Sequence, residues 1–285
     1  MNENHGTDHF GHPHDDRHDR GLEYDVRTLL DRRRVLGVLG GLGAGAALAA
    51  CGVGGDRASS TSSSSTTTGS SSGSDTVDTE VPDETAGPYP GDGSNGPDAL
   101  AESGIVRSDI TSSYGTSTTK AEGVPLTINL TVTDSAGGYA AMEGAAVYLW
   151  HCDRDGQYSL YSPGVEGENY LRGVQPTNAS GTATFTSIFP AAYSGRWPHI
   201  HFEVYQSVDE ATSDGQIVKT SQIALPEAVC KQVYATSGYE QSVTNLAQTS
   251  LTRDMVFGDD GGIHQLATVT GDATSGYVAN LTIGV

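Results

Sequence analysis

The stretch that decides the fold, residues 193–203, reads Tyr-Ser-Gly-Arg-Trp-Pro-His-Ile-His-Phe-Glu. Its second half alternates polar with apolar residues, which is the period-2 pattern of a β-strand. His199 and His201 therefore share one face, close enough to bind a single ion, and neutral imidazole is the commonest metal ligand in proteins. A loop before the strand can bring Tyr193 over that face. The pattern predicts a metal site; the alternative is two histidines on the solvent face of a half-exposed strand.

A second segment points to the same chemistry. Residues 145–158 read Ala-Ala-Val-Tyr-Leu-Trp-His-Cys-Asp-Arg-Asp-Gly-Gln-Tyr, a strand followed by a turn and Tyr158. With Phe-Thr-Ser-Ile-Phe-Pro-Ala-Ala-Tyr at 185–193 and Arg-Trp-Pro-His-Ile-His-Phe at 196–202, the order of these motifs resembles the iron(III) intradiol ring-cleaving dioxygenases. That family contains the catechol and protocatechuate enzymes. The resemblance covers residues 84–285.

The resemblance implies a non-haem iron site. The family's ligand pattern falls on Tyr158, Tyr193, His199 and His201, which would hold one Fe(III) per chain. Hard anionic oxygen donors favour the ferric state. By position, Tyr193 is the ligand that leaves the metal and takes a proton from the diol. The implied reaction is O₂-dependent ring cleavage of a catechol-type diol to a muconate-type dicarboxylate.

Further residues match the pocket of the resembled family. Arg196 matches the arginine that stabilises negative charge developing on the substrate, and a surface arginine in a turn is the alternative. Gln222 matches a glutamine that lines the pocket, and a polar residue at a sheet edge is the alternative. The loop between Tyr193 and His199 is short, so Trp197 is expected to occupy part of the space for the substrate ring.

Three other side chains are given positions rather than roles in the reaction. Trp150 is expected in the core. His151 and His264 have no partner at metal-ligand spacing and are expected at the surface or behind the metal ligands.

A function of a different class fits part of the sequence. Residues 145–193 also resemble the β-sandwich repeats that serve as non-catalytic stalk or adhesive modules of surface proteins. The histidine strand together with Tyr158 discriminates between the two hypotheses, since a stalk has no need of either. An iron–tyrosinate protein is red-brown, whereas a stalk module is colourless.

The N-terminal region predicts export. Residues 31–36, Asp-Arg-Arg-Arg-Val-Leu, form a twin-arginine signal, followed by an apolar run that ends in Leu-Ala-Ala-Cys at 48–51. This ending resembles a lipobox, in which Cys51 is lipidated and anchors the protein to the outer face of the cell membrane. Five histidines between residues 5 and 18 precede the signal and are expected to be removed with it.

Composition divides the rest of the chain. Residues 59–74 are all Ser, Thr or Gly, so residues 52–83 are predicted to form a disordered linker between the signal of residues 1–51 and a single domain at 84–285. Residues 51–285 carry 9 Lys and Arg against 27 Asp and Glu. With no basic patch, nucleic acid is not expected as a partner. The predicted partners are the aromatic diol and O₂.

The cysteines suggest a disulfide. If Cys51 is lipidated, Cys152 and Cys230 remain in an oxidising compartment, which predicts a bridge that ties the Tyr158 loop to the segment after the Gln222 strand. The alternative is two separate buried thiols.

Periodicity and turn residues predict an all-β fold, a β-sandwich. The resemblance implies that it is a β-sandwich of the intradiol dioxygenase type. One short helix is predicted within residues 226–239. The predicted strands are 126–133, 145–151, 183–185, 199–206, 217–224, 266–269 and 277–283.

Overall fold

The computed structural model describes residues 78–285. The predicted export signal, Cys51 and most of the predicted linker lie outside these residues. Within them, no helix is long and apolar enough to cross a membrane. Val81, near the end of the predicted linker, packs against the domain: it is buried and donates its backbone N–H to the carbonyl of Gly284.

The described residues form two antiparallel-rich sheets with short helices between strands. The strands are β1 (Pro125–Asp134), β2 (Ala140–Ala141), β3 (Ala146–Trp150), β4 (Arg172–Pro176), β5 (Thr182–Ile188), β6 (His199–Tyr205), β7 (Ile217–Ala224), β8 (Thr268–Asp272) and β9 (Gly276–Gly284). The helices are α1 (Val208–Ala211), α2 (Glu227–Tyr234) and α3 (Glu240–Leu246), followed by a 3₁₀ turn, Leu251–Arg253. The predicted all-β class is confirmed.

The two sheets have different roles. One has the order β2-β1-β9-β8, with β5 also paired to β1, and its β1–β9 pair is parallel. The other has the order β4-β3-β6-β7 and is antiparallel throughout. The histidine strand β6 is central in this second sheet, between β3 and β7. Both of its edges are therefore hydrogen-bonded, which fixes the positions of its side chains.

The main core lies between the sheets. Strand β1 points every second residue into it, and all of β1's inward residues are buried. Ile200, Phe202 and Val204 of β6 meet them from the other sheet. This alternation is the one that the sequence predicts.

The outer face of the second sheet is covered as well. Trp150, Tyr148 and Tyr205 pack there against residues such as Leu100 and Ile105 of the N-terminal segment. All seven residues of β6 are therefore buried, and His199 and His201 are each 2% exposed. The alternative of two solvent-facing histidines is wrong, because a second apolar layer covers the face on which they lie.

Sequence patterns missed some elements. Strand β4 was not predicted, since its Arg-Gly-Val-Gln-Pro sequence lacks a run of β-branched residues. The prediction of one helix in this region is wrong, because the chain forms two: α2 lies within residues 226–239 and α3 follows directly. Helix α2 ends at Tyr234, and Gly238, with φ of +93°, turns the chain before α3 begins. Glycine accommodates that left-handed backbone without strain.

The predicted disulfide is not formed in this structure. Cys152 and Cys230 are both free and buried. Cys152 packs on the outer face of the second sheet, with its Sγ 3.8 Å from the carbonyl oxygen of Ala191. Cys230 packs in the main core beside the carbonyl of Leu225. Each thiol behaves as a small apolar residue in its own cluster.

The free thiols lead to a first prediction. Burial raises the pKa of both Cys152 and Cys230 well above the usual range, so neither is expected to react with a thiol reagent in the folded protein. After denaturation without reductant, both should titrate. Reagent counting on the folded and the denatured protein checks this, and a denatured protein in which neither residue reacts would restore the disulfide.

Candidate metal centre

Tyr158 is held by a loop that starts where β3 ends. The carboxylate of Asp153 accepts backbone N–H groups from Asp155 and Gln157 at 2.9 Å each, which closes a tight turn. The hydroxyl of Ser162 then accepts the backbone N–H of Tyr158 at 2.9 Å. These contacts explain why the Asp-Arg-Asp-Gly sequence delivers Tyr158 onto the outer face of the sheet, where it is 2% exposed.

Tyr193 approaches from a different loop. The backbone N–H of Ala191 donates to the carbonyl of Asp153, which joins the Tyr193 loop to the Tyr158 loop. Gly156 has φ of +83°, and a Cβ placed there would lie 3.2 Å from Cβ of Tyr193. The glycine two residues before Tyr158 is thus required both for its backbone conformation and for the close approach of Tyr193.

The structure brings the four predicted ligands together. The Nε2 atoms of His199 and His201 are 3.1 Å apart, and Tyr193 Oη lies 3.2 Å from His199 Nε2. The ring of Tyr158 is 6.0 Å from that of Tyr193 and 6.2 Å from that of His201, measured between centroids. Side chains from two loops and one strand therefore converge on one point.

The two imidazoles turn their Nε2 atoms toward this point. His199 Nδ1 contacts the carbonyl oxygen of Trp197, so Nδ1 carries the proton and Nε2 is free to coordinate. His201 is oriented instead by stacking on Trp150, with ring centroids 5.0 Å apart and 6° between the planes. Burial lowers the pKa of both histidines well below its ordinary value, and Arg196 adds to this for His199. Both are neutral, as metal ligands must be.

The phenol of Tyr158 has no partner of its own. Its hydroxyl is buried and makes no hydrogen bond within the described residues. Burial and then the neighbouring Tyr193 raise its pKa well above the ordinary value. A buried polar group without a partner costs free energy, on the order of 1–3 kcal/mol. A cation at the centre of the cluster would recover that loss and lower the pKa of the phenol.

This donor set fits a ferric ion. Two neutral imidazoles and two phenols provide the nitrogen and hard oxygen donors that suit trivalent iron. Among residues 78–285 no group of three or more His, Cys, Asp or Glu is placed to hold a metal. The phenol oxygens of Tyr158 and Tyr193 are the protein groups that could join His199 and His201 around a metal.

Arg196 lies beside the four side chains and is 1% exposed, so the alternative of a surface turn arginine is wrong. Its Nε donates to Asp254 Oδ2 at 3.0 Å and its Nη2 donates to Gln222 Oε1 at 2.7 Å. Gln222 is fully buried opposite His201 in the sheet, and its Nε2 donates to the carbonyl of Thr85. Gln222 is thus not a residue of an exposed sheet edge.

The expectation for Trp197 is corrected, and one of the two positions expected for His151 is excluded. Trp197 does not enter the space beside the metal ligands, because it packs in the main core and donates Nε1–H to the carbonyl of Leu225. His151 is not at the surface; it is 1% exposed and lies between the carbonyl of Cys152 and the hydroxyl of Ser187. Burial lowers its pKa to about 4. Trp150 is in the core as expected, and His264 is partly exposed.

Sequence reasoning missed two carboxyl groups near the centre. Asp254 pairs with Arg196, although 58 residues separate them. Glu84 precedes Thr85, is 8% exposed, and interacts electrostatically with Asp259 and Arg196. Nothing in the sequence around Asp254 indicates the pairing with Arg196, because the two residues are brought together only by the fold.

Glu84 supports a second prediction. Burial, then Asp259, raise its pKa from 4.5 to about 8. The folded protein thus holds a proton that the unfolded chain releases above pH 4.5, so this contribution to stability is complete below pH 4.5 and is lost as the pH rises through about 8. Glu84→Gln is expected to stabilise the protein at high pH, on the order of 1 kcal/mol, and to have little effect in mild acid.

Thermal unfolding of wild type and Glu84→Gln at about pH 5, 7 and 9 checks this. The difference between the two proteins should grow with pH. A difference that stays constant would mean that Glu84 titrates normally.

Comparison with known proteins agrees with this geometry. A family model described as a dioxygenase matches residues 95–208, which include all four converging side chains. The fold is similar to an intradiol ring-cleavage dioxygenase from Tetranychus urticae, with 26% identity and a TM-score of 0.55 over 72% of this chain and 94% of that one. This chain is therefore similar to the intradiol ring-cleavage dioxygenases. A crystal structure of another dioxygenase shares 25% identity over 64% of this chain and 87% of its own, with a TM-score of 0.53.

The family model matches only part of the site. The matched residues 95–208 contain Tyr158, Tyr193 and the histidine strand. Gln222 and Asp254, which contact Arg196, lie beyond that match. The residues that contact the guanidinium of Arg196 thus lie outside the part of the chain that resembles the family model.

Proposed function

We propose that this chain is a non-haem Fe(III) dioxygenase that cleaves a catechol-type diol between its two hydroxyl-bearing carbons, with incorporation of both atoms of O₂. The observation that carries the proposal is the convergence of Tyr158, Tyr193, His199 and His201 on one buried point. His199 and His201 Nε2, 3.1 Å apart, support it most directly, because two neutral imidazole nitrogens at that distance are close enough to bind one cation.

Each side chain has a task in this proposal. When bound, ferric iron would bind both oxygens of the diol and make the ring reactive toward O₂. Tyr158, His199 and His201 would hold the metal throughout. Tyr193 is less buried than Tyr158, and its Oη would accept a proton from one diol hydroxyl as substrate binds.

Arg196 would supply positive charge to the substrate. A buried guanidinium stabilises negative charge far more than an exposed one does, because little water screens it. Gln222 fixes one edge of the guanidinium through the 2.7 Å contact with Nη2. The product would be a muconate-type dicarboxylate.

The decisive experiment measures iron, colour and O₂ together. Protein from iron-replete cells should contain one iron per chain and show a broad visible charge-transfer band. An oxygen electrode should record uptake without reductant for at least one of catechol, protocatechuate, hydroxyquinol and lignin-like diols. A colourless, iron-free protein that stays inactive after addition of ferric iron would contradict the proposal. Uptake that depends on NADH or ascorbate would indicate a different oxygenase chemistry.

The alternative of a non-catalytic stalk module is not favoured. A stalk has no use for buried, neutral histidines facing two phenols, which cost stability without a ligand. Absence of colour and activity together is the result that would revive it.

We also propose that the protein is exported by the twin-arginine route and anchored through a lipid on Cys51. Both features lie outside the described residues, and the proposal rests on the sequence at 31–36 and 48–51. Expression in the native type of host should give membrane-associated protein. Cys51→Ala should release it from the membrane fraction, and protein that stays cytoplasmic would contradict the export route.

A further inference from the structure

Asp254 makes an unusually complete set of contacts for a carboxylate. It is 2% exposed and lies directly after the 3₁₀ turn Leu251–Arg253. Oδ2 accepts from Arg196 Nε at 3.0 Å and from the backbone N–H of Trp197 at 2.6 Å. Oδ1 accepts from Arg196 Nη2 at 3.3 Å and from the backbone N–H groups of Val256 and Phe257. The backbone N–H groups therefore hold the carboxylate in place independently of its contacts with the guanidinium of Arg196.

These contacts orient Arg196. A carboxylate that accepts from both Nε and Nη2 forms a bidentate contact, which fixes the guanidinium plane as a single hydrogen bond cannot. Gln222 Oε1 accepts from Nη2 as well, so that edge of the guanidinium is held by two residues. Asp254 and Gln222 together restrict the direction in which the remaining edge of the guanidinium points.

The same carboxylate supports a ligand of the proposed metal. Trp197 donates its backbone N–H to Asp254, and the carbonyl of Trp197 contacts His199 Nδ1. Asp254 thereby holds Trp197, the residue whose carbonyl sets the tautomer of His199. One carboxylate is connected both to the charged residue and to the metal ligand.

We infer that Asp254 is a positioning residue that acts through Arg196 in the proposed ring cleavage. The inference rests on the proposed function, because the orientation of Arg196 affects turnover only if substrate binds beside it. A residue that orients a group in an active site typically contributes about 10- to 100-fold to activity. Asp254→Asn keeps the size of the side chain and removes the charge.

A double-mutant cycle tests the inference on the iron-loaded protein. The readouts are kcat and KM for catechol, or for whichever diol wild type turns over fastest, with iron content measured for each variant. Asp254→Asn alone should lower kcat about 10- to 100-fold, with iron per chain unchanged. In an Arg196→Gln background the same change should lower kcat less than about threefold, because the group through which it acts is gone.

A matched control distinguishes the specific effect of Asp254 on Arg196 from the general effect of replacing an aspartate that accepts hydrogen bonds in a turn. Asp109 also accepts a backbone N–H and a hydroxyl, both from Thr111, in a part-buried turn. Asp109→Asn should leave kcat within about twofold of wild type. An equal loss of kcat from Asp254→Asn in both arginine backgrounds, or a loss proportional to lost iron, would overturn the inference.

A measurement that does not depend on turnover distinguishes failure of this inference from failure of the proposed function. In ¹⁵N spectra of the metal-free protein, the Nε–H of Arg196 should exchange slowly with water in wild type and rapidly in Asp254→Asn. If wild type cleaves no diol, the proposed function fails, and the spectra still decide whether Asp254 holds Arg196. An unchanged, protected signal in Asp254→Asn would overturn the inference whatever the activity.

Discussion

Tyr158→Phe is expected to abolish diol cleavage and the visible band of the iron-loaded protein. The change removes one hydroxyl that is buried, has no hydrogen-bond partner within the described residues, and faces the cluster of His201 and Tyr193. Loss of a metal ligand that supplies several kcal/mol of charge stabilisation corresponds to a fall in turnover of about a thousandfold or more. Metal analysis, visible spectra and O₂ uptake check the result.

Tyr234→Phe is the matched control. Tyr234 is another buried tyrosine, and its hydroxyl donates to the carbonyl of Pro190 at 3.1 Å. Its removal should cost about 1 kcal/mol of stability, as for an ordinary hydrogen bond, and leave iron, colour and turnover in place. A Tyr158→Phe protein with wild-type colour and turnover would show that Tyr158 is not a ligand.

The stability of the Tyr158→Phe protein without metal provides a further comparison. The phenol of Tyr158 is an unpaired buried group in the metal-free state, so its removal should be neutral or stabilising there. With iron bound, the same change should lower the melting temperature, because iron binds the folded state more weakly. Opposite effects in the two states are expected of a ligand and not of a packing residue.

The local part of this site was predictable from sequence. The alternation in β6 placed His199 and His201 on one face, and the turn residues before Tyr158 indicated a loop. Both are short-range patterns, set by backbone geometry within about ten residues. The sandwich class followed from several such strands and their turns.

The remainder depends on contacts between distant residues, which a single sequence does not encode locally. That β6 is buried on both faces follows from the N-terminal segment that covers the outer sheet face. The pairing of Asp254 with Arg196 and the separate packing of Cys152 and Cys230 have the same origin. The alternating pattern of a strand shows that one of its faces is buried, but it does not show what covers the other face.

Arg172 is a further case of long-range organisation that sequence reasoning missed. It is 1% exposed, and its Nη1 donates to the carbonyl of Pro90 at 2.7 Å. Its Nη2 donates to the carbonyls of Tyr89 and Ser159 at 2.9 and 3.0 Å. One guanidinium thus joins the N-terminal segment to the loop that carries Tyr158. The ring of Tyr89 in turn lies 5.0 Å from that of Tyr158, between centroids.

Arg172→Met is therefore expected to destabilise the fold and disturb the metal centre together. Methionine fills much of the space but donates no hydrogen bond, so several buried carbonyls lose their partner. The expected loss is at least about 3 kcal/mol, or a fall in melting temperature of roughly 6–12 °C for a domain of this size. Thermal unfolding with and without iron measures the loss, and iron affinity should fall as the Tyr158 loop loosens.

Arg154→Met is the control for this change. Arg154 is a partly exposed arginine whose Nη2 pairs with Glu122 at 2.5 Å, and surface pairs of this kind contribute about 1 kcal/mol or less. Arg172→Lys distinguishes charge from geometry, because an ammonium cannot reach three carbonyls at once from one plane. If Arg172→Lys matched wild type in stability and iron affinity, the charge alone would matter. A loss close to that of Arg172→Met would mean that the planar fork of the guanidinium holds the Tyr158 loop in place.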